Sequence, residues 1–298
     1  MTKIKIGYFA DGPWSHTAFN MLIADKDITI AFIVPRLDST DNTLFEYCKS
    51  YNIPYLKGVK INMEEFYILA KSYNCDLFVS MSFNQIFKDK ITNLPQLGTI
   101  NCHAGKLPFY RGRNILNWAL INDEKEFGIT VHFIDEGIDT GDILLQKCFN
   151  ITDKDTYETL LNVAYQECAN ILYEAIKLIQ KGNYERVKQK DINEVGFYCG
   201  QRTSGDELIK WDQTSRQLFN FIRAICYPGP KSLTYVNGIP IKINKAALIQ
   251  DAPNYISTIG QVVGKTNRGL IVKTLDNVIE IFDIDTTAKI RIGDKFKS

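Results

Sequence analysis

Residues 3–35, "KIKIGYFADGPWSHTAFNMLIADKDITIAFIVP", contain the pattern that decides the fold of this chain. The runs 3–10 and 28–35 are short and apolar, which is typical of buried strands. The segment 15–26 between them spaces its apolar residues as a helix does. A strand, a helix and a second strand in succession predict a parallel pair of strands joined by a crossover helix.

The same alternation continues further along the chain. Strand-like runs recur at 75–81, 98–103 and 128–135, and segments with helical spacing lie between them. A long helical segment then extends from Thr152 to Lys181, where Gly182 is placed to end it. The pattern predicts an α/β fold class, with an N-terminal Rossmann-like, mostly parallel sheet that carries helices on both faces.

The pattern of predicted elements changes near residue 205, from alternating strands and helices to short strands. One more helical segment is followed by short alternating runs, with Asn237 and Gly238 placed as a hairpin turn. These runs predict a smaller C-terminal β-rich, barrel-like domain. We therefore divide the chain into domains 1–205 and 206–298.

Composition indicates an ordinary globular protein. Hydrophobic residues make up 45% of the chain, charged residues 23%, and the formal net charge is +1. No apolar stretch reaches the length of a membrane span, and the N-terminus lacks the apolar block of a signal peptide, so we expect a cytoplasmic protein without a membrane partner. The seven cysteines form no CxxC pair, which argues against disulfides and against a metal site.

Polar side chains follow two of the predicted strands. Asn101 and His103 lie two residues apart at the end of 98–103, so both project to the same side. Asp139 lies in the loop after the run 128–135, which we expect at the same edge of the sheet. An Asn, a His and an Asp are therefore expected to converge where open α/β sheets bind ligands.

These residue types together suit proton transfer beside a developing oxyanion. A neutral His accepts a proton, an Asp steadies the imidazolium, and an Asn amide donates to the oxyanion. Strand alternation turns Cys102 away, so we expect the nucleophile to come from the substrate. A structural interpretation stays open, because Asn and Asp are common in turns and a His at a strand end is often simply hydrogen-bonded in place.

Residues 100–146, "INCHAGKLPFYRGRNILNWALINDEKEFGITVHFIDEGIDTGDILLQ", closely resemble the core of the folate-dependent formyltransferases. The shared motifs are N-x-H at 101–103, L-P-x-[YW]-R-G at 107–112, G-[VI]-T at 128–130 and D-x-G-D at 139–142. By this resemblance, Asn101, His103 and Asp139 match the catalytic trio of the family.

The resemblance extends over nearly the whole chain. The segments 199–211 and 219–236 are similar to the junction and to the C-terminal domain of the family, and there the chain looks most like the nucleotide-sugar amine formyltransferases. The resemblance implies a formyl donor, N10-formyltetrahydrofolate, and no metal. It implies that the acceptor is the primary amine of a UDP- or dTDP-linked amino-deoxy sugar, in the biosynthesis of lipopolysaccharide or another surface glycan.

The resemblance also implies where the two substrates bind. It places the pterin pocket along 80–87 and 135–138, with the candidate residues Phe83, Ile86, Phe87, Asp135, Glu136 and Ile138. The candidates for contact with the acceptor are Tyr110, Arg113, Arg202 and Trp211. Plainer interpretations stay open, because apolar residues at such positions are often core and Arg202 is as well suited to a surface salt bridge.

Other functions compete with transfer to a sugar. Initiator-tRNA formyltransferases share the trio, but the segment from Asp206 onward has 13 Lys and Arg against nine Asp and Glu, without the clustering expected of an RNA groove. We therefore expect a small nucleotide-linked partner and no nucleic acid. The alternatives are a methionyl-tRNA formyltransferase, a formyltetrahydrofolate hydrolase and an inert binding module; a homodimer through exposed edge strands is a further expectation.

Overall fold

The computed structural model describes residues 3–297, which form two compact units. The first unit takes in the described residues up to Gly112, together with 127–149 and 162–199. The second unit takes in 113–126, 150–161 and the described residues from 200 onward. The division of the chain into domains 1–205 and 206–298 stays a prediction.

The secondary structure follows the predicted alternation. The strands, in chain order, are β1 (Ile4–Ala10), β2 (Ile28–Val34), β3 (Leu77–Met81), β4 (Thr99–His103), β5 (Arg111–Gly112), β6 (Glu126–Phe133), β7 (Ile143–Asn150), β8 (Tyr198–Cys199), β9 (Ser232–Val236), β10 (Ile239–Leu248), β11 (Val262–Lys265), β12 (Gly269–Lys273) and β13 (Val278–Asp285). The helices are α1 (Pro13–Ala24), α2 (Thr43–Tyr51), α3 (Glu64–Ser72), α4 (Asp89–Thr92), α5 (Ile115–Ile121), α6 (Tyr157–Lys181), α7 (Gln189–Ile192) and α8 (Ser215–Ile225).

The first unit is built on a six-stranded sheet in the order β2-β1-β3-β4-β6-β7. β1 pairs in parallel with β2 and with β3, and β3 pairs in parallel with β4. The chain moves from β1 to β2 in one direction and from β2 to β3 and β4 in the other. Right-handed crossovers in opposite directions place helices on both faces, so the predicted α/β class with a mostly parallel sheet is confirmed.

Aromatic rings fill the core of this unit between β1, β2 and β3. The ring of Phe9 lies 5.1 Å from Phe78 and 4.9 Å from Phe87, in edge-to-face geometry. Gly7 makes room for them, because a Cβ at this position would lie 2.6 Å from the ring of Phe32. Each buried ring contributes about 1.5–3 kcal/mol. This packing fixes the strands whose ends carry the polar residues.

The second unit contains a five-stranded antiparallel sheet in the order β11-β12-β13-β10-β9. Asn237 and Gly238 have positive φ angles of 48° and 79° and form the predicted hairpin turn between β9 and β10. Isolated bridges join Lys297 to Tyr235 of β9 and Lys295 to Gln261, which precedes β11. The C-terminal segment thus links the two edges of the sheet, and the predicted β-rich domain is confirmed.

Two details differ from the sequence pattern. The run 288–296 alternates like a strand, but it forms only isolated bridges because a turn at Arg291–Asp294, with Gly293 at φ 98°, interrupts it. β6 was expected within the parallel part of the sheet, but it runs antiparallel to β4. Such reversed strands are common toward the edges of α/β sheets. No helix in 3–297 combines the length and the apolar character needed to span a bilayer.

Candidate active site

The end of β4 presents two polar side chains to one face of the sheet. Asn101 and His103 alternate with Cys102, whose thiol instead faces α6 and lies 3.6 Å from the carbonyl oxygen of Cys168. His103 is buried and Asn101 is half-buried. The face of β4 that carries Asn101 and His103 is therefore available for chemistry, and Cys102 is not part of it.

His103 is held between a backbone carbonyl and a carboxylate. Its Nε2 atom lies 2.7 Å from the carbonyl oxygen of Tyr110, and its Nδ1 atom lies 3.6 Å from Oδ2 of Asp139. A carbonyl oxygen only accepts hydrogen bonds, so Nε2 carries the proton. Neutral His103 therefore has its lone pair on Nδ1, on the side of Asp139, and a proton taken up there is stabilised by the carboxylate.

Asp139 reaches His103 by a route that the sequence did not predict. Because β6 is antiparallel, the loop 134–142 starts beside the amino end of β4, where the Ile134 N–H donates to the carbonyl of Thr99. The loop then returns to bring Asp139 to the site. Asp139 adopts a left-handed conformation with φ 54°, which Asp tolerates better than most residues.

The carboxylate of Asp139 is ionised within a largely buried site. Oδ2 accepts a hydrogen bond from the Gly112 N–H at 2.9 Å, and Oδ1 lies 3.4 Å from Nε2 of His132. Burial raises the pKa of Asp139, but the positive charge of His103 and His132 in their protonated forms and the hydrogen bond from the Gly112 amide outweigh it and hold that pKa well below its usual value of 3.8. Asp139 is therefore negatively charged at any physiological pH.

This lowered pKa makes Asp139 a pH-dependent source of stability. A group whose pKa is lower in the folded state stabilises above its unfolded pKa and loses that contribution as the pH falls toward the folded value. We expect the difference in unfolding free energy between wild type and Asp139→Asn to shrink as the pH falls below about pH 4. Urea titrations at several pH values measure it. A difference that grows on acidification below about pH 4 would contradict this assignment.

His132 was missed by the sequence analysis. Its Nδ1 donates to the carbonyl of Phe133 at 2.8 Å, which leaves Nε2 to accept from the Asn101 amide at 3.2 Å. The ring is buried, and in the sheet register His132 lies opposite Asn101. His132 thus fixes the orientation of the Asn101 amide, whose second N–H stays available. Only the antiparallel pairing of β6 with β4 would have revealed this contact.

The loop after β4 is shaped around His103. A Cβ atom at Gly105 would lie 2.4 Å from Nε2 of His103 and 2.5 Å from the carbonyl oxygen of Tyr110, so only glycine allows their hydrogen bond. The hydroxyl of Thr130 donates to the carbonyl of Gly105 at 2.6 Å, and Gln146 donates to that hydroxyl at 2.8 Å. The G-I-T motif therefore serves to hold this loop.

The predicted pterin-pocket residues do not all have the same surroundings. Phe87 is buried and packs on Phe9, and its place in a ligand pocket stays a prediction. Ile86 and Ile138 are exposed, at 62% and 54% of their surface. Asp135 accepts from the Gly137 N–H and the Thr140 hydroxyl, at 3.1 and 2.5 Å, and thereby shapes the loop that leads to Asp139. Phe83 is half-buried and Glu136 is exposed.

The residues predicted to contact the acceptor belong to both units. In the first unit, Tyr110 contributes its backbone carbonyl to His103, and its ring packs on Phe197. In the second unit, Arg113 donates to Gln201 at 2.9 Å, and Arg202 donates to the carbonyl of Asp206.

Trp211 lies in the core of the second unit. It is buried against Phe296, and its indole N–H donates to the hydroxyl of Thr234 at 2.9 Å. Its contact with the acceptor stays a prediction.

Comparisons with known proteins identify the family of this chain. Residues 38–176 match the family described as formyl transferase, and residues 202–295 match the formyl transferase C-terminal domain. No group of three or more His, Cys, Asp or Glu side chains among residues 3–297 is arranged to hold a metal ion.

Two curated relatives carry the name methionyl-tRNA formyltransferase. The protein from Pelotomaculum thermopropionicum is 36% identical over 223 residues, which is 75% of this chain and 70% of the relative. The protein from Clostridioides difficile is 32% identical over 245 residues, 81% of this chain and 76% of the relative. Among solved structures, an N-formyltransferase from Helicobacter canadensis with folinic acid and dTDP-3-aminofucose is similar, with a TM-score of 0.68, 23% identity, and coverage of 95% and 99% of the two chains.

Proposed function

Because the chain belongs to the formyl transferase family, we propose that it transfers a formyl group to the α-amine of methionyl-tRNA. The chain is an N10-formyltetrahydrofolate-dependent formyltransferase, with N10-formyltetrahydrofolate as its co-substrate. The observation that carries the proposed acceptor is that relatives of 36% and 32% identity over most of the chain are methionyl-tRNA formyltransferases. A cytoplasmic location stays a prediction.

The predicted sugar acceptor is wrong. The likeness to a solved sugar formyltransferase amounts to 23% identity and shows the fold alone, whereas the tRNA-directed relatives are more similar in sequence. Three further expectations are wrong for the same reason. They are a nucleotide-sugar partner, the absence of a nucleic-acid partner and a role in surface-glycan biosynthesis. The sequence motifs in 100–146 concern the formyl-transfer chemistry, which is common to the family, so they do not discriminate between acceptors.

The catalytic roles that we propose follow from the contacts in the site. The α-amine attacks the formyl carbon, a C–N bond forms, and the formyl oxygen becomes an oxyanion to which the second N–H of Asn101 donates. The ammonium proton passes to Nδ1 of His103, and Asp139 stabilises the imidazolium. His103 then returns this proton to N10 as the bond between the formyl carbon and N10 breaks.

The second unit has a surface that supports an RNA partner. Lys289, Arg291, Lys295 and Lys297 are all exposed, and the only acidic residue within 289–297 is Asp294. Its carboxylate accepts from the backbone N–H of Arg291 at 2.7 Å. Lys265 lies beside this segment, because its ammonium donates to the carbonyl of Ile290 at 2.7 Å. Exposed cations of this kind suit contact with phosphates.

The acceptor is tested by offering N10-formyltetrahydrofolate together with methionyl-tRNA, with uncharged tRNA, or with no acceptor. We expect stoichiometric release of tetrahydrofolate and of formylated methionyl-tRNA in the first reaction only. Equal release of tetrahydrofolate in all three reactions would indicate a hydrolase. No release in any of them would contradict the proposed acceptor.

A further inference from the structure

Gln189 is a buried side chain beside the active site that the proposed chemistry does not use. It is the first residue of α7 and only 3% of its surface is exposed. It lies between the segments 38–176 and 202–295 that match the formyl transferase family. A buried amide requires hydrogen-bond partners for both its oxygen and its nitrogen, so its contacts indicate what holds this residue in place.

The Gln189 amide connects two loops of the active site. Its Oε1 atom accepts from Nε and Nη2 of Arg111, at 3.0 and 2.6 Å. Its Nε2 atom donates to the carbonyl oxygens of Asp139 and Gly141, each at 2.8 Å. The side chain therefore joins the Y-R-G motif to the D-x-G-D motif through four hydrogen bonds.

Backbone hydrogen bonds hold both the segment that precedes Gln189 and its partner Arg111. Val187 and Ile143 exchange two backbone hydrogen bonds, at 2.8 and 2.9 Å, which sets the position of Gln189 relative to the strand that follows Asp139. The Arg111 N–H donates to the carbonyl of Phe197 at 3.1 Å. Backbone hydrogen bonds therefore fix the segment that carries Gln189 and the strand residue Arg111 that it contacts.

The residue that gains most from this arrangement is Asp139. Its backbone is in the left-handed conformation, and its carboxylate must stay within reach of His103 and the Gly112 N–H. Gln189 holds the carbonyl of Asp139 directly, and through Arg111 it holds the residue next to Gly112. We propose that Gln189 is a positioning residue that fixes Asp139 for proton transfer, an inference that rests on the proposed function.

Two substitutions distinguish the hydrogen bonds of Gln189 with Arg111 from those with Asp139 and Gly141. Gln189→Leu removes all four hydrogen bonds, whereas Gln189→Glu keeps an acceptor for Arg111 but places an oxygen against the two carbonyls. If fixing Asp139 is what matters, both variants lose kcat by about 10- to 100-fold while KM for both substrates changes little. If only the contact with Arg111 matters, Gln189→Glu keeps wild-type activity and the proposal is overturned.

A double-mutant cycle distinguishes positioning from general stability. In an Asp139→Asn background, Gln189→Leu is expected to cause little further loss, because the residue through which it acts is already disabled. An equal fold-loss in both backgrounds would overturn the proposal. Gln180→Leu is the matched control, since that side chain also donates to a carbonyl, that of Asp27 at 3.2 Å, but at the amino end of β2. It is expected to retain wild-type kcat.

A measurement without any acceptor keeps this inference separate from the proposed function. The Gly112 amide proton is bonded to the Asp139 carboxylate, so its hydrogen exchange reports the position of Asp139 in the free protein. We expect faster exchange at Gly112 in Gln189→Leu and Gln189→Glu than in wild type and Gln180→Leu. Unchanged exchange would overturn the proposal even if methionyl-tRNA is the acceptor, and faster exchange would support it even if methionyl-tRNA is not.

Discussion

Replacing His103 by alanine lowers kcat by about 10²- to 10⁴-fold, which is the usual contribution of a positioned general base. The loss is expected in kcat because His103 takes up its proton only after the amine has attacked. Its Nδ1 lone pair faces Asp139, and its Nε2–H donates to the carbonyl of Tyr110. Steady-state rates of tetrahydrofolate release, measured over a range of both substrates, give kcat and KM separately.

A matched control is available, since the chain has three histidines. His16 also lies close to an aspartate, with Nε2 at 3.1 Å from Oδ2 of Asp41, but it belongs to α1 rather than to β4. His16→Ala is expected to retain kcat within about threefold, because His16 takes no part in the proposed proton transfer. A His103→Ala enzyme with activity as high as that of His16→Ala would show that another group accepts the proton.

Replacing Asn101 by aspartate lowers kcat by about 100- to 1000-fold, the effect typical of losing one oxyanion donor. The substitution keeps the shape of the side chain, but it removes both N–H groups and places a negative charge where the oxyanion forms. One of these N–H groups is bonded to His132 and orients the other. Asn101→Ala, which introduces no charge, is expected to show a loss of the same order.

The loss at Asn101 should leave binding intact. Titration of tetrahydrofolate into Asn101→Ala is expected to give the wild-type dissociation constant, because the oxyanion exists only during the reaction. A weakened binding of tetrahydrofolate with unchanged kcat would mean that Asn101 binds the ground state of the substrate instead.

Most of the fold was predictable because it depends on local patterns. Alternating apolar runs and the Asn237–Gly238 turn act over a few residues, and the structure contains the corresponding strands and hairpin. The direction of β6 was not predictable in the same way, because a parallel and an antiparallel strand can have the same apolar sequence pattern. That direction determines which residue lies opposite Asn101, so the contact with His132 was missed with it.

The candidate site was predictable only where side chains form a sequence motif. Asn101, His103 and Asp139 are such side chains, and the structure brings His103 and Asp139 together, with His132 between Asp139 and Asn101. The carbonyl of Tyr110 is a backbone group and carries no sequence signal, and Gln189 is distant in the chain from both loops that it connects.

The burial of single apolar residues near the motifs was not predictable. Only the tertiary packing shows that Phe87 and Trp211 are buried. The acceptor was predicted wrongly because the sequence does not show which charged side chains are exposed. A count of charges over the segment from Asp206 does not show that four exposed cations share the segment 289–297.

The central claim is tested most directly by following the formyl group itself. Methionyl-tRNA is incubated with N10-formyltetrahydrofolate that carries ¹³C in the formyl group, and the aminoacyl bond is then hydrolysed for mass analysis of the released amino acid. We predict N-formylmethionine with the full isotopic shift from the wild-type protein, and unmodified methionine from His103→Ala over the same time. Label recovered as formate, or methionine left unmodified by the wild-type protein, would contradict the assignment of methionyl-tRNA as the acceptor.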